Sequence, residues 1–434
     1  MASKKVLIIT YYWPPAGGPG VQRWLKFVKY LPEFEIEPIV YCPENPSYPI
    51  TDESLIDEIP NNITVIKHPI REPYRMAKLF SKKSTKTISS GIIPKRRKQS
   101  LIQRVMLYIR GNFFIPDARK NWVTPSVQYL SNYITDQNIQ TIITTGPPHS
   151  LHLIGKALKE RLDLKWIADF RDPWTTIGYH KDLKLTRTSK AKHVKLESEV
   201  LRAADHIVVT SNNTKKEFKT KTKQPITVIT NGYDTHKIQI HKKDQLFTMS
   251  HIGSLLSNRN PELLWQVLSE LIKNNKAFND AFRLNLIGVV SDDVIESLRS
   301  YGLHNHMNIL GYINHDEAIR YQMKSQILLL VEINSKDTKA IIPGKLFEYL
   351  IADTPILAIG PKDSDVQQII LSTNTGSYFT YDQKELLNVQ ILEWFKAYQE
   401  DSLKVNAIGL KPYSRRELTK KLSTLIRSDL SFGD

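Results

Sequence analysis

Short, continuous apolar runs alternate along this chain with segments whose apolar positions recur at helical spacing. Residues 6–10 (Val-Leu-Ile-Ile-Thr) are β-branched, uninterrupted and bounded by Pro14-Pro15, which predicts a strand buried on both faces. A turn follows at Ala16-Gly17-Gly18-Pro19-Gly20, and then Val21, Trp24, Leu25, Val28 and Leu31 trace one face of a helix that Pro32 ends. The same reading predicts strands at 38–41, 141–144, 166–169 and 206–210, with helices near 126–135, 150–162 and 192–203. After Pro225 the alternation restarts. Strands are expected at 226–229, 247–252, 282–287, 327–331 and 355–359, with helices at 261–274, 294–300, 317–323 and 345–351. Strand and helix in turn mean parallel sheets. The expected fold is α/β, with two Rossmann-like, doubly wound parallel-sheet domains at 1–215 and 216–400 and a hinge near 211–225. A last helix, at about 414–426, lies beyond the final strand and is free to pack back on either domain.

The bulk numbers narrow this picture. A chain of 434 residues exceeds one ordinary core and suits two of about 200 residues each. With 41% hydrophobic and 24% charged residues it is globular rather than disordered. The single Cys42 allows no internal disulfide, and no Cys/His spacing suits zinc, so a reducing, cytoplasmic setting is expected. No signal peptide or membrane-spanning run is visible, so the chain is expected to be soluble or peripheral.

The net charge of +16 is uneven: between Glu72 and Asp117 there are eleven basic residues and no acidic one. Apolar Leu79, Phe80, Ile92, Leu101, Val105 and Ile109 are mixed into this stretch, 75–110, as an anionic membrane surface would require. A solvated loop followed by a core helix is the plainer alternative. Nucleic acid is not expected, because aromatic residues are few and no recognised module is present.

Five constellations carry candidate chemistry. Gly18 and Gly20 in the first strand–helix turn allow close approach to an anion. That turn is not a dinucleotide fingerprint, since Arg23 stands where a third glycine belongs. His149, in Gly146-Pro147-Pro148-His149 at a strand end, is a candidate catalytic residue with an ordinary pKa suited to proton transfer near neutrality. In Asp169-Phe170-Arg171-Asp172-Pro173-Trp174, Asp172 suits a sugar hydroxyl or a base-orienting role and Arg171 suits a phosphate; a salt bridge roofed by Trp174 explains the segment equally well. Gly253 and Arg259 lie ahead of a helix whose expected cap is Asn260, a place to grip a diphosphate. Last, Pro343-Gly344 opens a helix with Lys345 in its first turn, where a cation opposes the dipole unless an anion binds, and Glu348 one turn on.

These segments, with Asn231-Gly232-Tyr233-Asp234 and Gly311-Tyr312, resemble in their order the GT-B glycosyltransferases, close to the retaining family 4 type of bacterial surface-polysaccharide enzymes. The resemblance implies a nucleotide-diphosphate sugar donor, UDP- or GDP-linked, with Arg259 and Lys345 on the diphosphate, Glu348 on ribose and Tyr312 beside the nucleobase. It further implies an N-terminal domain for the acceptor, glycolipid or polyprenyl-linked, with Gly18 near the reacting phosphate and His149 near the sugar. No cofactor and no metal are expected, because cations and helix ends stabilise the leaving diphosphate. The final helix would return to the N-terminal domain. The expected location is the cytoplasm, with the basic stretch 75–110 allowing peripheral contact at the inner face of the plasma membrane. Asp363-Ser364-Asp365 mimics a metal motif of another transferase fold but reads better as a helix cap. One departure stands out: the family often has two glutamates eight positions apart, and the earlier position here is Ala340. Two other readings stay open, a nicotinamide-dependent two-domain oxidoreductase and a non-catalytic scaffold for acidic membranes or nucleic acid.

Overall fold

The computed structural model describes residues 3–72, 101–234 and 242–428, so the sequence between Pro73 and Ser100, which holds most of the basic stretch, lies outside it. The chain forms two compact units, the first comprising Met1–Asn231 with Arg415–Asp434 and the second Gly232–Ser414.

Unit one holds seven parallel strands: β1 (Lys4–Ile9), β2 (Ile36–Pro43), β3 (Thr64–His68), β4 (Thr141–Gly146), β5 (Lys165–Phe170), β6 (His206–Val209) and β7 (Ile226–Val228). Their order is β3-β2-β1-β4-β5-β6-β7, so the sheet changes direction of growth between β1 and β4. Alternate residues of these apolar runs feed two cores. Leu7, Ile9, Ile142 and Ala168 face the helices Val123–Asp136, Ser150–Arg161 and Arg187–Ala203. Val6, Ile8, Ile143 and Ile167 face Trp24, Leu25 and Val28 of the helix Pro19–Tyr30. The same second core takes in Leu418, Leu422 and Ile426 of the C-terminal helix Arg415–Arg427. Residue 215 is not the end of this unit, because β7 still pairs with β6 (Ile207 with Ile226).

Unit two repeats the plan with six parallel strands: β8 (Phe247–Ile252), β9 (Phe282–Ile287), β10 (Met307–Gly311), β11 (Ile327–Val331), β12 (Ile356–Ile359) and β13 (Gly376–Phe379). The order β10-β9-β8-β11-β12-β13 places its switch point between β8 and β11. Ligands of such sheets bind outside the strand ends at that crevice. Met249, Leu284, Leu329 and Leu357 pack on the helices Glu262–Asn274 and Lys384–Gln399. Leu328, Leu330, Ile356 and Ala358 pack on Leu346, Phe347, Val366 and Ile370.

Three strands escaped the periodicity reading: β3, β10 and β13. Each is an edge strand, and β3 and β10 are half-exposed along their length, so neither presents a continuous apolar run. The expected cap Asn260 is also corrected. The helix starts at Glu262 with Pro261 before it and no side-chain cap, while the Asn260 side-chain oxygen Oδ1 accepts from the Trp265 indole at 2.7 Å. Ser364 caps the helix Asp365–Thr373 by accepting from the Gln367 backbone N–H at 3.0 Å.

Candidate active site

Unit two gathers its charged side chains at the switch point. β8 delivers His251, Ile252 and then Gly253, whose φ of +114° suits glycine and whose missing Cβ would come within 3.3 Å of the Lys345 amine. The short helix Gly344–Tyr349, packed through Leu346 and Phe347, carries Lys345 to that spot. Its Nζ donates to the Ile252 carbonyl at 2.8 Å and lies 3.1 Å from His251 Nε2. His251 Nδ1 lies 3.1 Å from the Leu329 carbonyl. That contact calls for a proton on Nδ1 and leaves Nε2 as the acceptor for Lys345. Burial, with the Lys345 charge beside it, holds the imidazole well below its ordinary pKa. Lys345 therefore has two neutral acceptors and, among the described residues, no acid in contact. Burial, then repulsion from Arg259, brings its amine down to about 7 against the pull of Glu348.

Arg259 is half-buried just before the helix Glu262–Asn274, and its Nε has no hydrogen-bond partner among the described residues. Desolvation lowers its pKa, partly offset by Tyr381 and Glu332. Glu348 accepts from Gln322 Nε2 at 2.9 Å. The structure thus brings Gly253, Arg259, Lys345 and Glu348 into one cluster. Tyr312 stands apart, 89% exposed after edge strand β10.

Two residues of this cluster were not singled out from sequence. His251 positions the amine, and Glu332 adds a buried acid directly after β11. Burial pushes the Glu332 carboxyl up to about 7, against hydrogen bonds from Tyr378 and Ser364. An acidic residue ending an apolar strand was the available signal, the same signal that singled out Asp172.

In unit one, Gly18 takes φ 99° ahead of the helix Pro19–Tyr30, and a Cβ on Gly20 would fall 1.7 Å from Arg171 Nη1. Arg171 donates to the Pro147 carbonyl, its Nε has no partner among the described residues, and its guanidinium lies over the Tyr12 ring at 5.6 Å. Asp172 is half-buried, and desolvation raises its carboxyl above the ordinary range. The salt bridge of this segment belongs to its neighbour: Asp169 pairs with Arg23 at 2.9 Å and also accepts from Trp24 Nε1 and Thr145 Oγ1. Arg23, at the third-glycine position, is thereby locked in a buried ion pair, which leaves no room for a dinucleotide fingerprint.

His149 is buried in a parallel stack on Trp174, ring centroids 4.9 Å apart, and neither ring nitrogen has a partner among the described residues. The expected near-neutral pKa is corrected here. Burial holds His149 well below the ordinary value and so favours the neutral ring. His152 is turned to Thr144 at 2.9 Å. His193 Nδ1 accepts from the Trp174 indole at 3.1 Å, fixing the plane on which His149 stacks.

Two Rossmann-like units, each a parallel sheet with its own switch point, make this a GT-B fold. Residues 92–237 match the family model Glycosyltransferase Family 4. No curated protein sequence matches the chain. Among solved structures it is similar to a glycosyltransferase from Rickettsia africae, at 13% identity, 100% coverage of both chains and a TM-score of 0.60. It is similar as well to HepE from Anabaena in complex with UDP-glucose, at 13% identity, 97% and 99% coverage and a TM-score of 0.56. A third similar structure is WaaG, a glycosyltransferase involved in lipopolysaccharide biosynthesis, at 11% identity, 98% and 100% coverage and a TM-score of 0.54.

Proposed function

We propose that unit two binds a nucleotide-diphosphate sugar, UDP- or GDP-linked, and that the enzyme passes the sugar to a glycolipid or polyprenyl-linked acceptor in bacterial surface-polysaccharide assembly. The observation that carries this reading is the pair Lys345 and Arg259, two desolvated cations that repel each other with no carboxylate bonded to either among the described residues. A diphosphate relieves both costs, and the same cations then stabilise charge on the leaving group. Glu348 offers an acceptor to a ribose diol. Because side chains supply the positive charge, transfer is expected to proceed in EDTA. Retention of anomeric configuration follows the family 4 likeness, and product NMR reads it.

Unit one would hold the acceptor, with neutral His149 and Asp172 as hydrogen-bonding groups for its hydroxyls. Membrane contact is supported by the helix Leu101–Phe113, the described end of the basic stretch. Its face of Val105, Tyr108, Ile109 and Phe113 is exposed to solvent. The glycosyltransferase involved in lipopolysaccharide biosynthesis and the UDP-glucose complex among the similar structures fit this substrate class.

The test is nucleotide binding followed by turnover. UDP or GDP at a hundred times its Kd should stabilise the protein by about 2.7 kcal/mol. Lys345→Ala should abolish that gain and lower transfer from nucleotide sugars about 100-fold or more. Full activity in both Lys345→Ala and Glu348→Ala would sink the assignment.

A further inference from the structure

Glu332 follows β11 directly and is only 4% exposed. Its two carboxylate oxygens are treated very differently. Oε2 accepts from the Tyr378 hydroxyl at 2.7 Å and from Ser364 Oγ at 3.0 Å. Oε1 is equally buried, yet it has no hydrogen-bond partner among the described residues. A purely structural acid would satisfy both, since an unpaired buried acceptor is costly. The backbone holds the residue in place as well, its carbonyl accepting from the Tyr381 hydroxyl at 2.6 Å. Gly360 makes room for this arrangement, because a Cβ there would lie 2.4 Å from Oε2. The carboxyl is thus fixed through one oxygen and keeps the other unpaired among the described residues.

The two acids of this site divide between its two cations. Lys345 feels Glu348, whereas Arg259 feels Glu332 and Tyr381. They are anchored on different elements, Glu348 by Gln322 of the helix His315–Lys324 and Glu332 by β13 and the Ser364 cap. A nucleotide-diphosphate sugar has groups for each of these acids and cations: a ribose diol, two phosphates and sugar hydroxyls. Ala340 brings no polar side-chain atom, and the segment bearing it is pinned to the turn that holds Glu332, the Asp365 N–H donating to the Lys339 carbonyl at 2.9 Å.

We propose that Glu332 determines donor-sugar specificity, its unpaired oxygen accepting a hydrogen bond from a hydroxyl of the sugar. This rests on unit two being the donor site. Glu332→Gln keeps the side chain's size and can still accept from Tyr378 and Ser364, but it turns the offered acceptor into a donor. The experiment is titration calorimetry on the full chain with UDP and GDP, and with UDP-glucose, UDP-galactose, UDP-N-acetylglucosamine and GDP-mannose. In Glu332→Gln the affinity for the free nucleotide should stay within about twofold, and the ratio of nucleotide-sugar to nucleotide affinity should fall about tenfold, the worth of one hydrogen bond to a charged acceptor. Tyr378→Phe, which loosens the carboxyl without removing it, should lower the same ratio and decides the matter if Glu332→Gln fails to fold. An unchanged ratio overturns the proposal. So does an equal loss for nucleotide and nucleotide sugar, which would make Glu332 a prop for Arg259. Failure of the wild type to bind any nucleotide would fell the donor reading beneath it, and that is read before either variant.

Discussion

A lysine amine held by an imidazole nitrogen and a carbonyl oxygen gives up its proton far more readily than one in water. Lys345, at about 7, is charged below neutrality and increasingly neutral above it. A diphosphate needs the charged form, so above about pH 7 binding must bring a proton with it. UDP or GDP affinity should then fall by up to about tenfold per pH unit from 7 towards 9. Lys345→Arg, charged throughout, should flatten that limb. A pH-independent wild-type affinity would remove the amine from contact with phosphate. The sign for stability is the opposite of a salt-bridged lysine. The folded value lies below the unfolded one, so the unfolded chain binds more protons from about pH 7 up to the ordinary lysine range. Unliganded unit two should gain stability across that window. Glu332 works the other way: its raised carboxyl makes wild-type stability decline as pH rises from the ordinary glutamate range to about 7. Neither behaviour is written in residue type. Lys345 was legible as a cation in the first turn of a helix, but its neutral partners come from a strand 94 residues earlier.

Elements carry the membrane side of the proposal. The helix Leu101–Phe113 docks by its inner face: Leu107 is buried, and a Cβ on Gly111 would lie 2.6 Å from the Leu183 carbonyl. Asn112 ties it further, donating to the Lys184 carbonyl and accepting from the Thr186 N–H. Its outer face leaves Val105, Tyr108, Ile109 and Phe113 between 43% and 63% exposed. Burying two such side chains in a bilayer interface contributes about 1.5–3 kcal/mol each. Replacing Ile109 and Phe113 together by Asp should leave the melting temperature near wild type and cut co-sedimentation with phosphatidylglycerol vesicles at low salt at least tenfold. Unchanged sedimentation would remove this face from any membrane role. The sequence placed basic and apolar residues together here and left a core helix as the rival account; the packing shows one face in the core and the other in solvent.

Across the whole molecule, unit one is built from two stretches of chain, with unit two between them in sequence. Leu418, Leu422 and Ile426 fill the core beside Trp24 and Val6, so ending the chain at Ser414 uncovers that face of the sheet. Calorimetry of such a chain should show the unit-one transition lowered or lost, while the transition that UDP or GDP raises keeps its midpoint. Two unaltered transitions would refute the helix's part in unit one. The sequence by itself determined two α/β layers and the strand ends where chemistry gathers, because apolar runs and helical spacing are local and survive without partners. Edge strands β3 and β10 stayed silent, for a half-solvated strand needs no such run. Only the tertiary structure decided that Arg23 and Asp169, 146 positions apart, lock together, and that burial holds His149 below its ordinary pKa. It also decided that Lys345 rests on His251 and that one oxygen of Glu332 goes unpaired. Those outcomes depend on burial and on who stands within 3 Å, and distance along the chain carries no record of either.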